Sequence, residues 1–132
     1  MSVRSRRLFL ALVLSQAAHS IEEYSFRLYD VLAPARFVSG IVSRNPALSF
    51  AILNIAIVSI GLWCYAARIR GNRPSGRGWA WFWAAVEGAN GTGHLVLAAS
   101  RGGYFPGAAT ALLLLAFSVS LGVTLLQVDE PV

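Results

Sequence analysis

The sequence has no lysine, one cysteine, one methionine and only six acidic residues among 132. The lone cysteine, Cys64, excludes an intrachain disulfide. With 56% hydrophobic and 13% charged residues, the chain is too apolar for a soluble domain of this size and has the composition of a membrane protein. The net charge of +5 comes from arginines that flank apolar runs and form no aromatic-interleaved groove, so no nucleic-acid partner is expected.

Four apolar runs separated by Pro/Gly breaks predict an all-α fold, a four-helix transmembrane bundle in one domain of residues 1–132. The spans are expected at about residues 8–31, 48–68, 78–100 and 105–127, each near the roughly 20 residues that cross a bilayer. Short loops should connect them, with the longest at about residues 70–78. Seven arginines lie on the side of the N-terminus and three on the other side, which predicts that both termini are cytoplasmic.

Ionisable residues are concentrated in two of these runs. The first run holds His19, Glu22 and Glu23, and the third holds Glu87 and His94. An ionisable side chain at the centre of a membrane costs about 2.5–3.5 kcal/mol on insertion scales. Five such groups therefore need partners, a water-filled pocket or a metal ion, and they are the best indication of function.

The polar residues of both runs follow the period of a helix. The stripe on the first helix consists of Ser15, Gln16, His19, Glu22, Glu23, Arg27 and Asp30. The stripe on the third consists of Glu87, Asn90, Gly91 and His94. At 1.5 Å per residue, His19 lies about 16 Å and His94 about 24 Å from the cytoplasmic start of its span. The two stripes overlap in depth, so we expect them to face one cavity if the two helices are neighbours.

The two stripes together predict a site for a divalent metal. His19 and Glu23, at i,i+4, have the ligand spacing of an H-x-x-E-H zinc site in which a glutamate replaces the second histidine. Glu87 and His94 are expected to complete the ligand set. Two imidazoles with two or three carboxylates suit zinc, or iron or manganese, better than copper or magnesium.

Glu22 is the predicted general base beside this metal. Asn90 is predicted to be a second catalytic residue, which binds substrate or supports the metal ligands. Arg27 is expected to pair with a neighbouring carboxylate, either Glu23 or Asp30. A simpler alternative is that the whole set is a polar network that holds helices together, since interhelical hydrogen bonds of this kind contribute about 0.6 kcal/mol each.

Three short motifs, in this order, resemble the HXXEE family of small bacterial membrane proteins. They are His19-Ser20-Ile21-Glu22-Glu23-Tyr24, Asn90-Gly91-Thr92-Gly93-His94 and Tyr104-Phe105-Pro106-Gly107. The resemblance covers nearly the whole chain and implies a four-span protein with a catalytic or metal-binding role but no settled activity. The polar residues that it carries over are His19, Glu22, Glu23, Asn90 and His94.

A narrower similarity points to a related chemistry. The segment Glu22-Glu23-Tyr24-Ser25-Phe26-Arg27 matches the EExxFR signature of CAAX-type prenyl endopeptidases, in which glutamate and histidine activate water inside the membrane. The next motif of those enzymes, FxxxH, has Asn90 in place of its phenylalanine here, and their later histidine motif is missing. The similarity is therefore one of chemistry and not of fold.

These observations predict a membrane-embedded, metal-dependent hydrolase or oxidase that acts on a lipid-soluble small molecule in the bacterial inner membrane. One alternative is a metal-free acid–base isomerase or cyclase of an isoprenoid-like substrate, with Trp79, Trp81 and Trp83 stabilising a carbocation. Another is a non-enzymatic membrane subunit whose polar network is structural. Four spans are also compatible with a homodimer.

Overall fold

The structure is a computed structural model that describes residues 1–127, and over this range it is all-helical with no strand. The helices are α1 (Val3–Ser25), α2 (Leu28–Val31), α3 (Ala33–Val42), α4 (Pro46–Cys64, continued by a π-helical turn at Tyr65–Ile69), α5 (Gly76–Ser100) and α6 (Ala108–Gln127). The all-α prediction is confirmed for the described residues.

The first helix begins and ends earlier than the predicted span of residues 8–31. The Ser2 side chain accepts a hydrogen bond from the Ser5 amide at 3.0 Å and starts α1 at Val3. At the other end, Arg27 has a φ of 59°, a left-handed conformation that cannot continue a right-handed helix. The chain therefore turns after Ser25, and α2 follows as a separate short helix.

The segment around residues 33–36, predicted to be a break, instead forms the first turn of α3. Pro34 lies in that first turn, where proline's missing amide hydrogen is no loss. Residues 26–45 are consequently the longest connection between long helices, and residues 70–75 are shorter, contrary to prediction. Apolar side chains on α3, including Phe37 and Ile41, are 74% and 70% exposed.

Within the described residues, two helices are long and apolar enough to cross a membrane, Pro46–Ile69 and Ala108–Gln127. Helices α1 and α5 have 23 and 25 residues, about 35 and 38 Å at 1.5 Å per residue. They have the length of a span, but their charged, polar and glycine residues make them less apolar. The other predicted boundaries, at residues 48, 68, 78, 100, 105 and 127, lie within three residues of the observed helix ends.

The four long helices pack side by side, with α6 against both α1 and α5. Helix α4 packs on α1 but barely touches α5, so a gap separates α4 from α5. At one end, Arg6 Nη1 donates to the carbonyl of Arg70 at 3.0 Å, and the amino group of Met1 donates to Asn72 Oδ1 at 2.7 Å. The start of α1, the 70–75 loop and the end of α6 lie together at this arginine-rich end. There, Arg77 donates a hydrogen bond to the Leu125 carbonyl.

Polar side chains lie inside the protein and large apolar ones lie on its surface. The buried polar residues on the long helices include Ser15, Gln16, His19, Glu23, Asn54, Glu87, His94, Ser118 and Thr124. The exposed apolar residues, each more than half exposed, include Leu14, Ile21, Ile55, Trp63, Phe82, Val96, Leu112, Val119 and Leu126. They occur on α1, α4, α5 and α6 alike. In water this surface would be far more apolar than a monomer tolerates.

Candidate functional site

Two histidines and one glutamate meet between α1 and α5. Glu23 Oε1 lies 3.3 Å from His19 Nε2 and 3.0 Å from His94 Nε2. One ligand atom from each of the three side chains falls within 4.8 Å of the others, and all three residues are buried. The imidazole rings stand edge to face with their centroids 4.5 Å apart. The predicted approach of the two polar stripes is therefore observed for these three side chains.

The orientation of the His94 ring follows from its contact with the loop between α5 and α6. Its Nδ1 lies 2.7 Å from the carbonyl oxygen of Pro106. A carbonyl oxygen only accepts hydrogen bonds, so Nδ1 carries a proton and donates it. The ring also packs against buried Phe105, with centroids 5.6 Å apart. These contacts turn Nε2 toward Glu23.

His19 is oriented through Thr110 at the start of α6. His19 Nδ1 lies 2.8 Å from Thr110 Oγ1. The Thr110 hydroxyl donates its only proton to a carboxylate oxygen of Glu22 in a short hydrogen bond, so Thr110 Oγ1 accepts from His19. Nδ1 of His19 is thus protonated as well, and its Nε2 also faces Glu23.

Both Nε2 atoms therefore present a lone pair to a carboxylate oxygen when the histidines are neutral. His19 Nε2 is buried and has no hydrogen-bond partner, because its 3.3 Å approach to Glu23 does not have hydrogen-bonding geometry. Three electron donors pointing at one another need a cation between them, either a proton or a metal ion. Histidines held by Nδ1–H···O hydrogen bonds with a free Nε2 are typical of metal sites.

Glu22 points away from Glu23 and caps the N-terminus of α6. Its carboxylate accepts from the backbone amides of Ala109 and Thr110 at 3.2 and 2.8 Å, from the Thr110 hydroxyl, and from the Tyr104 hydroxyl at 2.5 Å. Amides in the first turn of a helix are the ones that lack intrahelical partners, and a negative charge there is favourable. With four donors on two oxygens, Glu22 is anchored, and it orients His19 through Thr110.

Tyr104 remains a donor to Glu22 over the whole ordinary pH range. Partial desolvation, and then the hydrogen bond to Glu22, raise the pKa of Tyr104 to about 12 from its ordinary value of 10.0. A pKa raised on folding adds stability that is complete below pH 10 and is lost as the pH rises toward 12. This contact is thus insensitive to pH near neutrality.

At Gly107, the backbone of the α5–α6 loop lies directly against the two imidazole rings. Its φ is +90°, and a Cβ there would lie 2.6 Å from His94 Nδ1 and 2.7 Å from His19 Cε1. Only glycine combines this backbone conformation with so close an approach. Gly107 therefore belongs to the site although it offers no functional group.

Glu87 and Asn90 lie beside this cluster on the wall of a cavity of about 760 Å³ that Glu23 and His94 also line. Glu87 is 2% exposed, and Asn90 Nδ2 donates to its Oε2 in a long hydrogen bond of 3.5 Å. Glu87 is not part of the three-residue group that could hold a metal.

Arg27 and the three tryptophans named in the sequence analysis lie outside the cluster. Arg27 pairs with Asp30 at 2.7 Å on an exposed surface, which is one of its two expected partners. Trp79 and Trp83 line the cavity, whereas Trp81 lies in a groove between α5 and α6.

Four residues that help to orient the cluster were not among the predicted site residues. They are Tyr104, Pro106, Gly107 and Thr110. The first three occur in a motif that carried the family resemblance, but nothing in the local pattern around Thr110 marks it.

The family suggested by the three motifs matches the chain over most of its length. A family model described as a protein of unknown function with HXXEE motif matches residues 9–121. No curated protein and no solved structure matches the chain significantly. The matched range contains all of α2 to α5 and most of α1 and α6, and with them every residue of the cluster. The chain belongs to the HXXEE family, whose name-giving histidine and glutamates are His19, Glu22 and Glu23.

Proposed function

We propose that this chain is an integral membrane protein with four spanning helices, both termini on the cytoplasmic side, and a divalent metal held by His19, Glu23 and His94. All four long helices expose apolar side chains and bury polar ones, which supports a lipid bilayer as the environment of the protein. The arginines at the end that holds both the start of α1 and the end of α6 support the orientation. The bacterial inner membrane is the corresponding location.

One observation carries the metal site. The Nδ1 atoms of His19 and His94 each have an oxygen acceptor, while both Nε2 atoms converge on Glu23 Oε1 at 3.3 and 3.0 Å. Ligands about 2.0–2.1 Å from a tetrahedral zinc ion lie roughly 3.3 Å from one another. The two separations from Glu23 Oε1, 3.3 and 3.0 Å, are close to this value, and one ligand atom from each side chain lies within 4.8 Å of the others. These distances support a site for zinc, or iron or manganese.

The function we propose is a metal-dependent hydrolase or oxidase of a lipid-soluble substrate. A bound zinc ion supplies a Lewis acid for hydrolysis, and iron or manganese supplies redox chemistry. Glu87 holds or accepts a proton at a carboxylate oxygen on the cavity wall. Asn90 orients that carboxylate through its side-chain amide. Glu22 acts as a positioning residue, since its oxygens are already saturated by four donors.

A metal-free acid–base enzyme is the second candidate. A proton on His94 Nε2 would turn its 3.0 Å contact with Glu23 into a charged hydrogen bond and would remove the need for a metal ion. Trp79 and Trp83 on the cavity wall are placed to stabilise a cationic isoprenoid. In a purely structural network, neither a metal nor a substrate would bind.

Metal analysis of the purified protein distinguishes these candidates. After purification in detergent without chelators, we expect about one zinc, iron or manganese ion per chain, and a ratio near zero in the His94→Ala variant. Asn54→Ala is the matched control, because Asn54 is a buried polar residue of the same cavity that contributes no ligand. A ratio near zero in the wild-type protein would contradict the metal site.

Replacing Thr110 with valine should weaken metal binding without removing a ligand. Valine keeps the shape of threonine but neither accepts from His19 Nδ1 nor donates to Glu22, so the imidazole loses its orientation. Loss of such a supporting contact typically lowers metal affinity about 10- to 100-fold. Competition with a chelator measures the affinity. Thr110→Ser, which keeps the hydroxyl, should remain near wild type, and equal losses in both variants would contradict this role.

A further inference from the structure

The cavity beside the cluster has a polar end and an apolar end. Along α5, its polar wall runs from His94 to Glu87, seven residues or about 10 Å. The wall then becomes aromatic from Trp83 to Trp79, with Trp79 about 12 Å beyond Glu87. Aliphatic side chains of α4 face it across this second half. The shape matches a molecule with one polar head and one apolar tail.

The charges on the wall restrict the nature of the head. Glu23 and Glu87 both line the cavity, while none of the arginines in the described part of the chain does. An anionic head would therefore meet two carboxylates and no cationic side chain in a poorly solvated space, where unpaired charge is costly. If a divalent metal is bound, the two carboxylates already balance its charge. An uncharged head is the one that fits.

The wall also offers hydrogen bonds that the protein does not use. Gln16 Oε1, Ser39 Oγ and Trp83 Nε1 are buried polar atoms that find no partner among residues 1–127, and each belongs to a residue that lines the cavity. Buried polar atoms are normally paired. An alcohol, ester or amide oxygen can use both donors and acceptors of this kind.

Access to the cavity is from the side. Helices α4 and α5 barely touch each other, and the cavity lies between them. Ile60, Phe82 and Val86 line it and are also exposed, at 51%, 54% and 43%. A ligand can enter between these side chains from a surrounding apolar phase without crossing water.

We propose that the substrate is an uncharged single-chain lipid with a hydrogen-bonding oxygen in its head group, that is, an alcohol, ester or amide. The head lies beside Glu87, Asn90 and His94, and the tail extends along α5 to Trp79. The proposal deepens the proposed function by naming its substrate class and rests on it for the site of reaction. Binding of the lipid itself does not require the metal.

Bromine-labelled lipids test this placement, because bromine quenches the fluorescence of a tryptophan that it touches. The probes are ω-bromododecanol and ω-bromododecyl phosphate, added to chelator-treated protein in a nonionic detergent. We expect saturable quenching of up to about half the emission by the alcohol, since two of the four tryptophans line the cavity. The phosphate should bind about tenfold more weakly or worse.

Two pairs of variants place the bound tail. Changing both Trp79 and Trp83 to phenylalanine should remove the saturable quenching, whereas Trp81→Phe should keep it. Leu53→Phe, which fills the cavity, should abolish binding, whereas Ile55→Phe on the exposed face of the same helix should not. The Leu53 pair keeps the test valid if the double tryptophan variant does not fold.

The results separate this proposal from the metal site. Equal binding of alcohol and phosphate, or quenching that survives in Leu53→Phe, would overturn the substrate class. Metal at about one ion per chain without saturable quenching would also overturn it while leaving the metal site intact. Saturable quenching by the alcohol in a protein that never binds metal would support the lipid and contradict the metal.

Discussion

Replacing Gly107 with alanine should destroy the site and destabilise the protein by about 2–5 kcal/mol. A left-handed backbone conformation costs an L-residue about 1–2 kcal/mol, and overpacking adds about 1–3 kcal/mol. The new Cβ would lie 2.6–2.8 Å from atoms of both imidazoles, so the rings must move and the Nδ1 contacts with Pro106 and Thr110 are lost. Thermal unfolding in detergent, together with the metal ratio, measures both effects.

Two glycines of the same loop provide controls that separate the causes. Gly102 has a φ of +66° but open space around it, so Gly102→Ala should show the backbone strain alone, about 1–2 kcal/mol. Gly103 has open space and no such φ, so Gly103→Ala should be near wild type in stability and metal content. A Gly107→Ala variant no worse than Gly102→Ala would show that the contact with the imidazoles is unimportant.

Replacing Glu23 with glutamine should have the second largest effect, abolishing metal binding and lowering stability by roughly 3–5 kcal/mol. Glutamine removes the one carboxylate in the described part of the chain that both Nε2 atoms approach, so the imidazoles lose their buried negative partner. Breaking one side of a buried pair carries a cost of this size. The surface pair Arg27–Asp30 is the matched control, because exposed pairs contribute about 0–1 kcal/mol, so Asp30→Asn should change little.

A double variant separates a metal site from a structural network. In His19→Leu with Glu23→Leu, both partners of a pair are removed together, so the stability of a metal-free structural network should recover toward wild type. A metal site should stay less stable than wild type, because the stabilisation by the bound ion is lost. Metal content should stay near zero, because two of three ligands are gone. Full metal content in the double variant would contradict the assignment of these ligands.

The polar stripes of α1 and α5 could be predicted from the sequence because helical period alone decides which side chains share a face. His19 and Glu23 are four residues apart, and His94 shares a helix face with Glu87, seven residues away, so their burial followed from the cost of charge in an apolar surrounding. The positions of these residues along the two helices also predicted that they lie at overlapping depths in the membrane. Glu87 lies on the same stripe, yet it faces the cavity instead of the cluster of His19, Glu23 and His94.

The end of α1 and the role of Glu22 could not be predicted in the same way. No local sequence pattern predicts the left-handed conformation of Arg27, which ends α1 six residues before the predicted boundary. Glu22 lies one residue from a ligand, but its hydrogen bonds reach residues 104 to 110, more than 80 positions away. Such contacts depend on the packing of α1 against α6, which sequence periodicity does not contain.

The cap that Glu22 places on α6 also dictates the order in which the protein can be assembled. The carboxylate comes from α1, and the amides that it accepts from belong to α6, which is synthesised later. Until α6 has been made and has docked on α1, Thr110 cannot orient His19 and Pro106 cannot orient His94. A nascent chain that ends before residue 104 therefore contains His19, Glu23 and His94 but not the contacts that orient them, so the proposed site could capture a metal ion only after the start of α6 has been made.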